Sequence, residues 1–268
     1  MSLIELFSNK TLCVALAPDQ LTAAVRGGAS FAPDSAARIA LDHPEGHWQG
    51  ALAALDGYLQ QAGAQAKGLP LSVSLSNRWC HLTMLPWSDA LLAVDTSARF
   101  LEAQFAGLFG DAARSWIVTC DDAPFGQPRL ACAIERELLE SVQAIAAKHG
   151  HQCVAVEPAL SIAWRAVAPS RPAAFALLER GRMVLASAEN GRITGVHAQA
   201  CRGNWQAELA QAWQRWTLRV PQLAAIGQVA LVKLDEAANG ALPEPFHAAR
   251  LPLHALAPAY AAVSMMGR

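Results

Sequence analysis

Short clusters of histidine, cysteine and carboxylate residues are the places in this chain where a metal ion could bind. His149, His151 and Cys153 lie at alternate positions, and imidazole and thiolate groups are ligands that zinc prefers. Two carboxylate doublets, at 121–122 and 235–236, offer oxygen ligands of the kind that Mg²⁺ takes. Adjacent strand residues point to opposite faces, and carboxylates in loops are usually solvated. We therefore expect the two histidines to face water in a polar turn, and we predict no metal site.

The sequence lacks the short motifs that mark common hydrolases and nucleotide-binding proteins. It has no G-x-S-x-G nucleophile elbow, no G-x-x-x-x-G-K-[ST] phosphate loop, no H-E-x-x-H zinc motif and no dinucleotide fingerprint. The cysteines are scattered singly, without a C-x-x-C pair, at Cys13, Cys80, Cys120, Cys132, Cys153 and Cys201. We expect buried, reduced thiols, the alternatives being a disulfide framework or a structural zinc site.

The composition is typical of a folded protein. Of the 268 residues, 53% are hydrophobic and 16% are charged, and the mean hydropathy is +0.20. With 21 basic against 22 acidic residues and no basic run, the chain lacks the positive charge with which proteins neutralise nucleic-acid phosphates. No apolar run reaches the roughly 20 residues of a membrane span, and the first residues do not have the order of a signal peptide. We predict a cytoplasmic protein that neither binds nucleic acid nor inserts into the membrane.

Apolar periodicity predicts the same succession of elements twice. In the first half we predict strands at 12–16, 21–25 and 38–41, a helix at 48–62 and a strand at 71–75. In the second half we predict strands at 173–178, 183–188 and 192–197, a helix at 205–216 and a strand at 229–234. Asn190-Gly191 between two of these strands is a strong hairpin signal. This repeat predicts an α/β fold with two lobes.

The first half carries additional elements. Serine alternates with apolar residues in 71–75, which predicts a half-buried strand, and we expect 79–85 to pair with it or to extend its sheet. The segment 87–150 is predicted to be an inserted unit made of a helix, a hairpin and a second helix. The prolines at 169 and 172 mark the best boundary, so we predict one lobe at 1–170 and another at 171–268. An apolar helix at 259–266 is predicted to close the chain.

The chain contains eight tryptophans, and three of them recur at helical spacing. Trp205, Trp213 and Trp216 fall on one face of a predicted helix. They either form a core stripe that packs on the second sheet or include an aromatic anchor for another protein.

Three stretches carry a resemblance to a known superfamily. Residues 12–26 form a hairpin, 135–165 read as a helix, a strand, an acidic residue and an Ala-rich helix ending in arginine, and the tail reads LAPAYAAVSMMGR. In this order they resemble the actin-like ATPase (ribonuclease H-like) superfamily, and within it the PilM/GspL-like proteins of type IV pilus assembly and type II secretion. The resemblance implies two ribonuclease H-like lobes with mixed sheets, the first carrying an inserted helix-hairpin-helix unit.

The residues at the first phosphate loop of that superfamily differ from its pattern. ATP-binding members have an Asp-x-Gly in the first hairpin, whose carboxylate serves the metal and whose glycine allows backbone N–H groups to approach phosphate. Ala15 stands at the position of the Asp and Ala17 at that of the Gly, and Pro18, which has no N–H, follows.

Two further positions differ as well. Glu179 and Gly181 occupy the second Asp-x-Gly, but Arg182 follows instead of a small hydroxyl residue. The Gly-Gly pair that usually lies beside the adenosine is replaced by two carboxylates after the strand at 229–234. These departures predict no cofactor and no ATP hydrolysis, with binding of ATP and Mg²⁺ as the alternative.

The resemblance also implies a partner. In PilM-like proteins, a groove beside the inserted unit receives a peptide tail of the membrane-anchored PilN-type protein. By resemblance we place such a groove at Trp87, Phe100 and Gln104 and at the strand edge 129–134, with Arg129 and Ala131. An extended peptide adds to a strand edge through main-chain hydrogen bonds.

Three functions follow as hypotheses. The first is a non-catalytic adaptor of a pilus or secretion machine, held at the inner membrane through a partner. The second is a weak ATPase or sugar-kinase-like phosphotransferase that uses Glu179 as its metal-side carboxylate. The third is an α/β protein with an unrelated binding role. Each hypothesis is compatible with a homodimer.

Overall fold

The computed structural model describes residues 10–28, 30–41, 46–62, 66–234, 238 and 240–249. The predicted helix at 259–266 and the carboxylate doublet at 235–236, which stands where the Gly-Gly pair was expected, lie outside the described residues.

The described elements follow the predicted succession. The strands are β1 (Lys10–Leu16), β2 (Gln20–Gly27), β3 (Ser30–Phe31), β4 (Ala37–Ala40), β5 (Leu71–Leu75), β6 (Cys80–Leu85), β7 (Trp116–Cys120), β8 (Arg129–Glu135), β9 (Cys153–Pro158), β10 (Ala174–Glu179), β11 (Arg182–Glu189), β12 (Arg192–Ala200), β13 (Val229–Lys233) and β14 (Phe246–Ala248). The helices are α1 (Gln49–Gln61), α2 (Val94–Phe109), α3 (Arg136–Lys148), α4 (Ala159–Val167) and α5 (Trp205–Arg219).

The contacts divide the chain into two compact units. The described part of the first unit is 10–76 and 137–166, and that of the second is 77–136 and 167–249. The predicted lobes at 1–170 and 171–268 divide the chain by its fold repeat rather than by its contacts, and they stay a prediction.

The first unit contains one mixed sheet. Its strand order is β3-β2-β1-β5-β9, and β4 also pairs with β2. The pair β1–β2 is antiparallel, whereas β1–β5 and β5–β9 are parallel. The prediction that β5 is half-buried is wrong, because Ser74 is buried along with the apolar residues beside it and only Ser72 stays partly exposed. A parallel strand in the middle of a sheet is covered on both faces, and serine is small enough to fit there.

The second unit contains a five-stranded sheet that repeats the arrangement of the first, with the strand order β12-β11-β10-β13-β14. Its first two pairs are antiparallel and its last two are parallel, as in the first unit. The duplicated order that the sequence predicted is therefore confirmed. Trp213 and Trp216 on α5 are buried in the apolar core of this sheet, so they are core residues and not a partner anchor. Strand β14 was not predicted, because it has only three residues and follows a proline-rich segment.

A separate three-stranded sheet belongs to the second unit. Its order is β6-β8-β7, and both pairs are antiparallel. The expectation that residues 79–85 pair with β5 or extend its sheet is therefore wrong. The chain turns between Asn77 and Cys80, where the Cys80 N–H donates to the Asn77 carbonyl (3.4 Å). Helix α2 covers one face of the sheet, where Leu101 and Phe105 pack with Ala131 in an apolar cluster.

The six cysteines are free, as predicted. Three of them are buried, and the other three are half-buried. Burial raises the pKa of the Cys13 thiol, which favours the uncharged, unreactive form.

Two glycines of the second unit provide a matched test of the fold. Gly191 has a φ of +76° in the predicted Asn-Gly turn, and Gly107 lies inside α2; a methyl group at either position would contact nothing within 4 Å. Gly191→Ala is expected to lower the free energy of unfolding by about 1–2 kcal/mol, because a left-handed conformation strains alanine. Gly107→Ala is expected to raise it by about 0.5–1 kcal/mol, because alanine favours a helix.

Urea unfolding of the two variants and the wild type measures both effects. Equal effects of the two substitutions would contradict the assigned turn.

Candidate functional site

The first candidate loop joins β1 to β2 in the first unit. Ala15 lies opposite Ser74 of β5, and Ser74 lies opposite Glu157 of β9, so the three residues form a row near the carboxyl ends of parallel strands. Such ends are where α/β sheets bind ligands. The Ala17 N–H donates to the Gln20 carbonyl (2.9 Å) and so is engaged within the turn. Ala15, at the position of the expected Asp, contributes no carboxylate, and the glycine position is occupied by Ala17, whose N–H has a partner.

The carboxylate of the row, Glu157, is bound by an arginine. Both of its oxygens accept hydrogen bonds from the Arg165 guanidinium, each at 2.7 Å. The Glu157 carboxylate raises the pKa of Arg165 above its already high value. Both residues lie in the stretch 135–165, but the sequence pattern does not indicate that they pair. Glu157 lies on β9 and Arg165 on α4, so the pair is not a contact within one helix that a spacing of three or four residues would indicate.

The second candidate loop joins β10 to β11 in the second unit. Glu179 is 6% exposed, and its Oε2 accepts hydrogen bonds from the backbone N–H (3.0 Å) and the side-chain amide of Asn77. Asn77 itself is fully buried. The carboxylate that was considered for a metal is thus held by donors of its own chain.

Arginines surround the same loop. Gly181 has a φ of +76°, and a Cβ there would lie 2.9 Å from the Arg78 Nη1, so a side chain would collide with that guanidinium. Burial lowers the pKa of Arg182, an effect that the Glu179 carboxylate opposes. The left-handed φ of the turn therefore favours glycine here, whereas the Arg78 guanidinium, at the end of a flexible side chain, can move aside.

The residues predicted to bind a partner lie in the second unit. Trp87 and Phe100 pack against the apolar cluster beneath α2, and Ala131 is buried within it. Gln104 is half-buried on α2. The Arg129 guanidinium lies 5.6 Å from the centre of the Trp87 ring. The structure thus brings four of the five predicted residues to the three-stranded sheet and its apolar cluster, and the fifth, Gln104, lies on the helix that covers them.

Strand β8 cannot accept a peptide as an added strand. It is the central strand of its sheet and pairs with β6 on one side and with β7 on the other. The expectation that residues 129–134 form a free edge is therefore wrong. The apolar alternation of a strand does not show whether it lies at an edge or in the middle.

Phe125 was not among the predicted partner residues. Its ring is 75% exposed, and its centre lies 4.7 Å from the centre of the Trp87 ring. Arg129 supports the loop that carries it, since it donates to the Asp121 carbonyl (3.4 Å) and lies 3.8 Å from the Asp122 carboxylate. An exposed phenylalanine in a Pro-Phe-Gly loop was the sequence signal. We call Trp87, Phe125 and Arg129 the aromatic corner.

The histidines considered as metal ligands make bonds within the first unit. The His149 Nε2 lies 2.8 Å from the Asp56 carboxylate, and the His151 Nδ1 lies 2.9 Å from the Leu69 carbonyl. The expectation that both imidazoles face water is therefore wrong, since His151 is buried and His149 is bonded. Hydrogen bonds from Lys148 and His149 lower the pKa of Asp56.

The two carboxylates at 121–122 differ in their surroundings: one is hydrogen-bonded within the protein and the other faces solvent. Asp121 accepts hydrogen bonds from the Leu130 N–H (2.9 Å) and from Arg192 (2.8 Å), whereas the Asp122 side chain is fully exposed. In the part of the chain that the structure describes, no three His, Cys, Asp or Glu residues come together as metal ligands would. Within the same ranges, no helix combines the length and the apolar character that crossing a bilayer requires.

Comparison with known proteins gives matches at the level of structure. No protein-family model matches the sequence, and no curated protein matches it. The cytoplasmic domain of EpsL, an inner-membrane component of the type II secretion system of Vibrio cholerae, is 14% identical with a TM-score of 0.57, over 95% of each chain. A chain of the PilM-PilN type IV pilus biogenesis complex is 12% identical with a TM-score of 0.59, over 83% of this chain and 81% of that one.

A third solved structure names the fold. A Bacteroides thetaiotaomicron protein of unknown function with an actin-like ATPase fold is 11% identical with a TM-score of 0.54, over 91% of this chain and 87% of that one. At these identities the likeness establishes the fold and nothing finer. The chain has the actin-like ATPase fold.

Proposed function

We propose that this protein is a non-catalytic, cytoplasmic scaffold of a type II secretion or type IV pilus machine, and that it binds a peptide segment of a membrane-anchored partner. The observation that carries the absence of catalysis is the buried Glu179 carboxylate, which Asn77 already binds through two donors.

The chemistry of the loops supports this proposal. Hydrolysis of a nucleotide on this fold needs a carboxylate for the metal and backbone N–H groups for phosphate. Ala15 supplies no carboxylate, and the carboxylates of Glu157 and Glu179 are already bound by protein donors. A cation at Glu179 would have to replace the hydrogen bonds that this buried carboxylate accepts. Breaking a hydrogen bond to a buried charged group costs about 1.5–3 kcal/mol.

The solved neighbours support the choice of machine. EpsL is an inner-membrane component of a secretion system, and PilM is found in a complex with PilN. By analogy we propose that this chain lies on the cytoplasmic side of the inner membrane and binds a partner that is anchored in it. On the chain itself, the aromatic corner supports a partner site, because an exposed ring beside a half-buried tryptophan is typical of a binding surface. A second copy of the chain is the alternative occupant.

Nucleotide is expected to leave the stability of the protein unchanged. A ligand that binds only the folded state raises the melting temperature by mass action, so about 2 mM Mg-ATP would stabilise a functional site measurably. We expect no shift beyond the error of a thermal-shift measurement and no phosphate release above a protein-free blank. MgCl₂ alone and Mg-ADP are the matched controls. A shift of several degrees, or steady release of phosphate, would favour the ATPase alternative.

Asn77→Ala and Glu179→Gln are each expected to lower the free energy of unfolding by about 1–3 kcal/mol, because the first removes a donor from the buried carboxylate and the second replaces hydrogen bonds to a charged acceptor by weaker neutral ones. Urea unfolding in EDTA measures this, and the double variant is expected to lose less than the sum of the two. Glu189→Gln, at an exposed position of β11, is the control and is expected to change little.

A metal-binding role predicts the opposite pattern for Glu179→Gln. Stability in EDTA would then be unchanged, and a Mg²⁺-dependent stabilisation seen in the wild type would be lost.

The aromatic corner is expected to determine partner capture. Phe125→Ala removes an exposed ring, so stability should stay within about 0.5 kcal/mol of the wild type, while recovery of a membrane-anchored assembly protein from detergent-solubilised cells should fall sharply. Mass spectrometry of proteins purified with each variant measures this. Leu218→Ala, which removes an equally exposed apolar side chain on α5, is the control. Equal recovery with both variants would reject the corner as the partner site.

A further inference from the structure

We propose that a groove between α2 and β7 is a docking site for an acidic, extended segment of a partner protein, which adds as a strand to the free edge of β7. The groove lies in the second unit and has a volume of about 400 Å³. We call it the α2–β7 groove, and the lining residues that matter are Arg99, Ala103, Ala106, Arg114, Trp116 and Arg136. It is distinct from the aromatic corner, and the proposal does not depend on the function proposed above.

The shape of the groove follows from small residues on one side of α2. Arg99, Ala103 and Ala106 recur at i, i+4 and i+7, so they lie on the same side of the helix. Leu101 and Phe105 point the opposite way, into the apolar cluster. Because the two alanines have short side chains, the helix does not fill the space beside β7. Trp116, which is 8% exposed, belongs to the same cluster and forms the apolar floor.

The walls of the groove are positively charged. Arg99 comes from α2, Arg114 from the turn between α2 and β7, and Arg136 from the first residue of α3. Glu102 is the single acidic residue in the described lining, and Arg114 also contacts Asp111 in an exposed ion pair (3.1 Å). Three arginines from separate elements therefore line one groove in a chain whose net charge is −1. This arrangement is complementary to a ligand that carries carboxylates.

The backbone of β7 is available for pairing on the side away from β8. Among the described strands, β7 pairs with β8 alone. The Asp121 N–H donates to the Leu130 carbonyl (2.8 Å), and antiparallel pairs alternate, so Val118 directs its N–H and C=O away from β8. The Trp116 N–H is taken by the Ala113 carbonyl, which leaves the Trp116 carbonyl and the backbone groups of Val118 and Cys120 at the free edge.

These observations favour a peptide over an anionic lipid surface. An extended peptide satisfies the edge of β7 through its main chain and can place every second side chain in the groove. A segment of about five residues matches the length of β7 at roughly 3.4 Å per residue. Acidic side chains at alternate positions would then meet the arginines. A lipid headgroup would satisfy the arginines but not the strand edge.

The test uses the complete chain and a displayed library of random twelve-residue peptides as the probe. We expect selection on the wild type to enrich peptides with acidic residues at alternate positions. Their affinity should fall about tenfold or more for the triple variant Arg99→Gln, Arg114→Gln, Arg136→Gln, since three ion pairs are lost. The matched control removes the same charge elsewhere in the second unit, through Arg202→Gln, Arg215→Gln and Arg219→Gln, and should bind like the wild type. Phe125→Ala should also bind like the wild type.

Hydrogen exchange provides a readout that does not depend on a variant. The Val118 amide is expected to exchange more slowly in the presence of a selected peptide, because that amide donates to the added strand. The proposal is overturned if no enriched peptide discriminates between the two triple variants, if the peptides are not acidic, or if Val118 exchange is unchanged. Binding to vesicles of anionic lipid that the first triple variant abolishes, with no peptide selected, would assign the groove to a membrane surface and likewise reject the proposal.

Discussion

The carboxylate of Glu179 is a buried charge in the second compact unit, and its burial requires hydrogen bonds that compensate for the lost contact with water. A buried carboxylate is tolerated only where donors replace the water that it has lost. Asn77 provides them, through its backbone N–H and its side-chain amide. Because Asn77 precedes β6 and Glu179 ends β10, these bonds join the start of the three-stranded sheet to the loop between β10 and β11. The proposal that Glu179 serves no metal rests on these bonds, and Glu157 is held by Arg165 in a comparable way.

Features that depend on neighbouring residues could be predicted from the sequence. Asn190 and Gly191 both have positive φ, which is what the turn between β11 and β12 requires and what this dipeptide supplies. The duplicated succession of strands and helix was also readable, because each element carries its own periodicity. The resemblance to the actin-like ATPase superfamily depended on that succession, and the solved structures with the same fold agree with it.

Features that depend on distant residues could not be predicted in this way. The alternation in β6 does not show that its partner is β8 rather than β5, and the alternation in β8 does not show that it has a neighbour on each side. The serines of β5 indicated a solvent-facing side, but coverage of a central parallel strand decides its burial. The arginines of the α2–β7 groove are scattered along the sequence, so only the fold brings them together. The engagement of Glu179 by Asn77, across a separation of 102 residues, is of the same kind.

The most direct measurement of the central claim follows the side-chain amide of Asn77 by NMR while Mn²⁺-ATP is added. If the carboxylate of Glu179 is committed to Asn77, the amide resonances stay sharp and unshifted as the paramagnetic complex reaches millimolar concentration. Selective broadening of the Asn77 and Gly181 resonances would place a metal-bound nucleotide at this loop and would contradict the account.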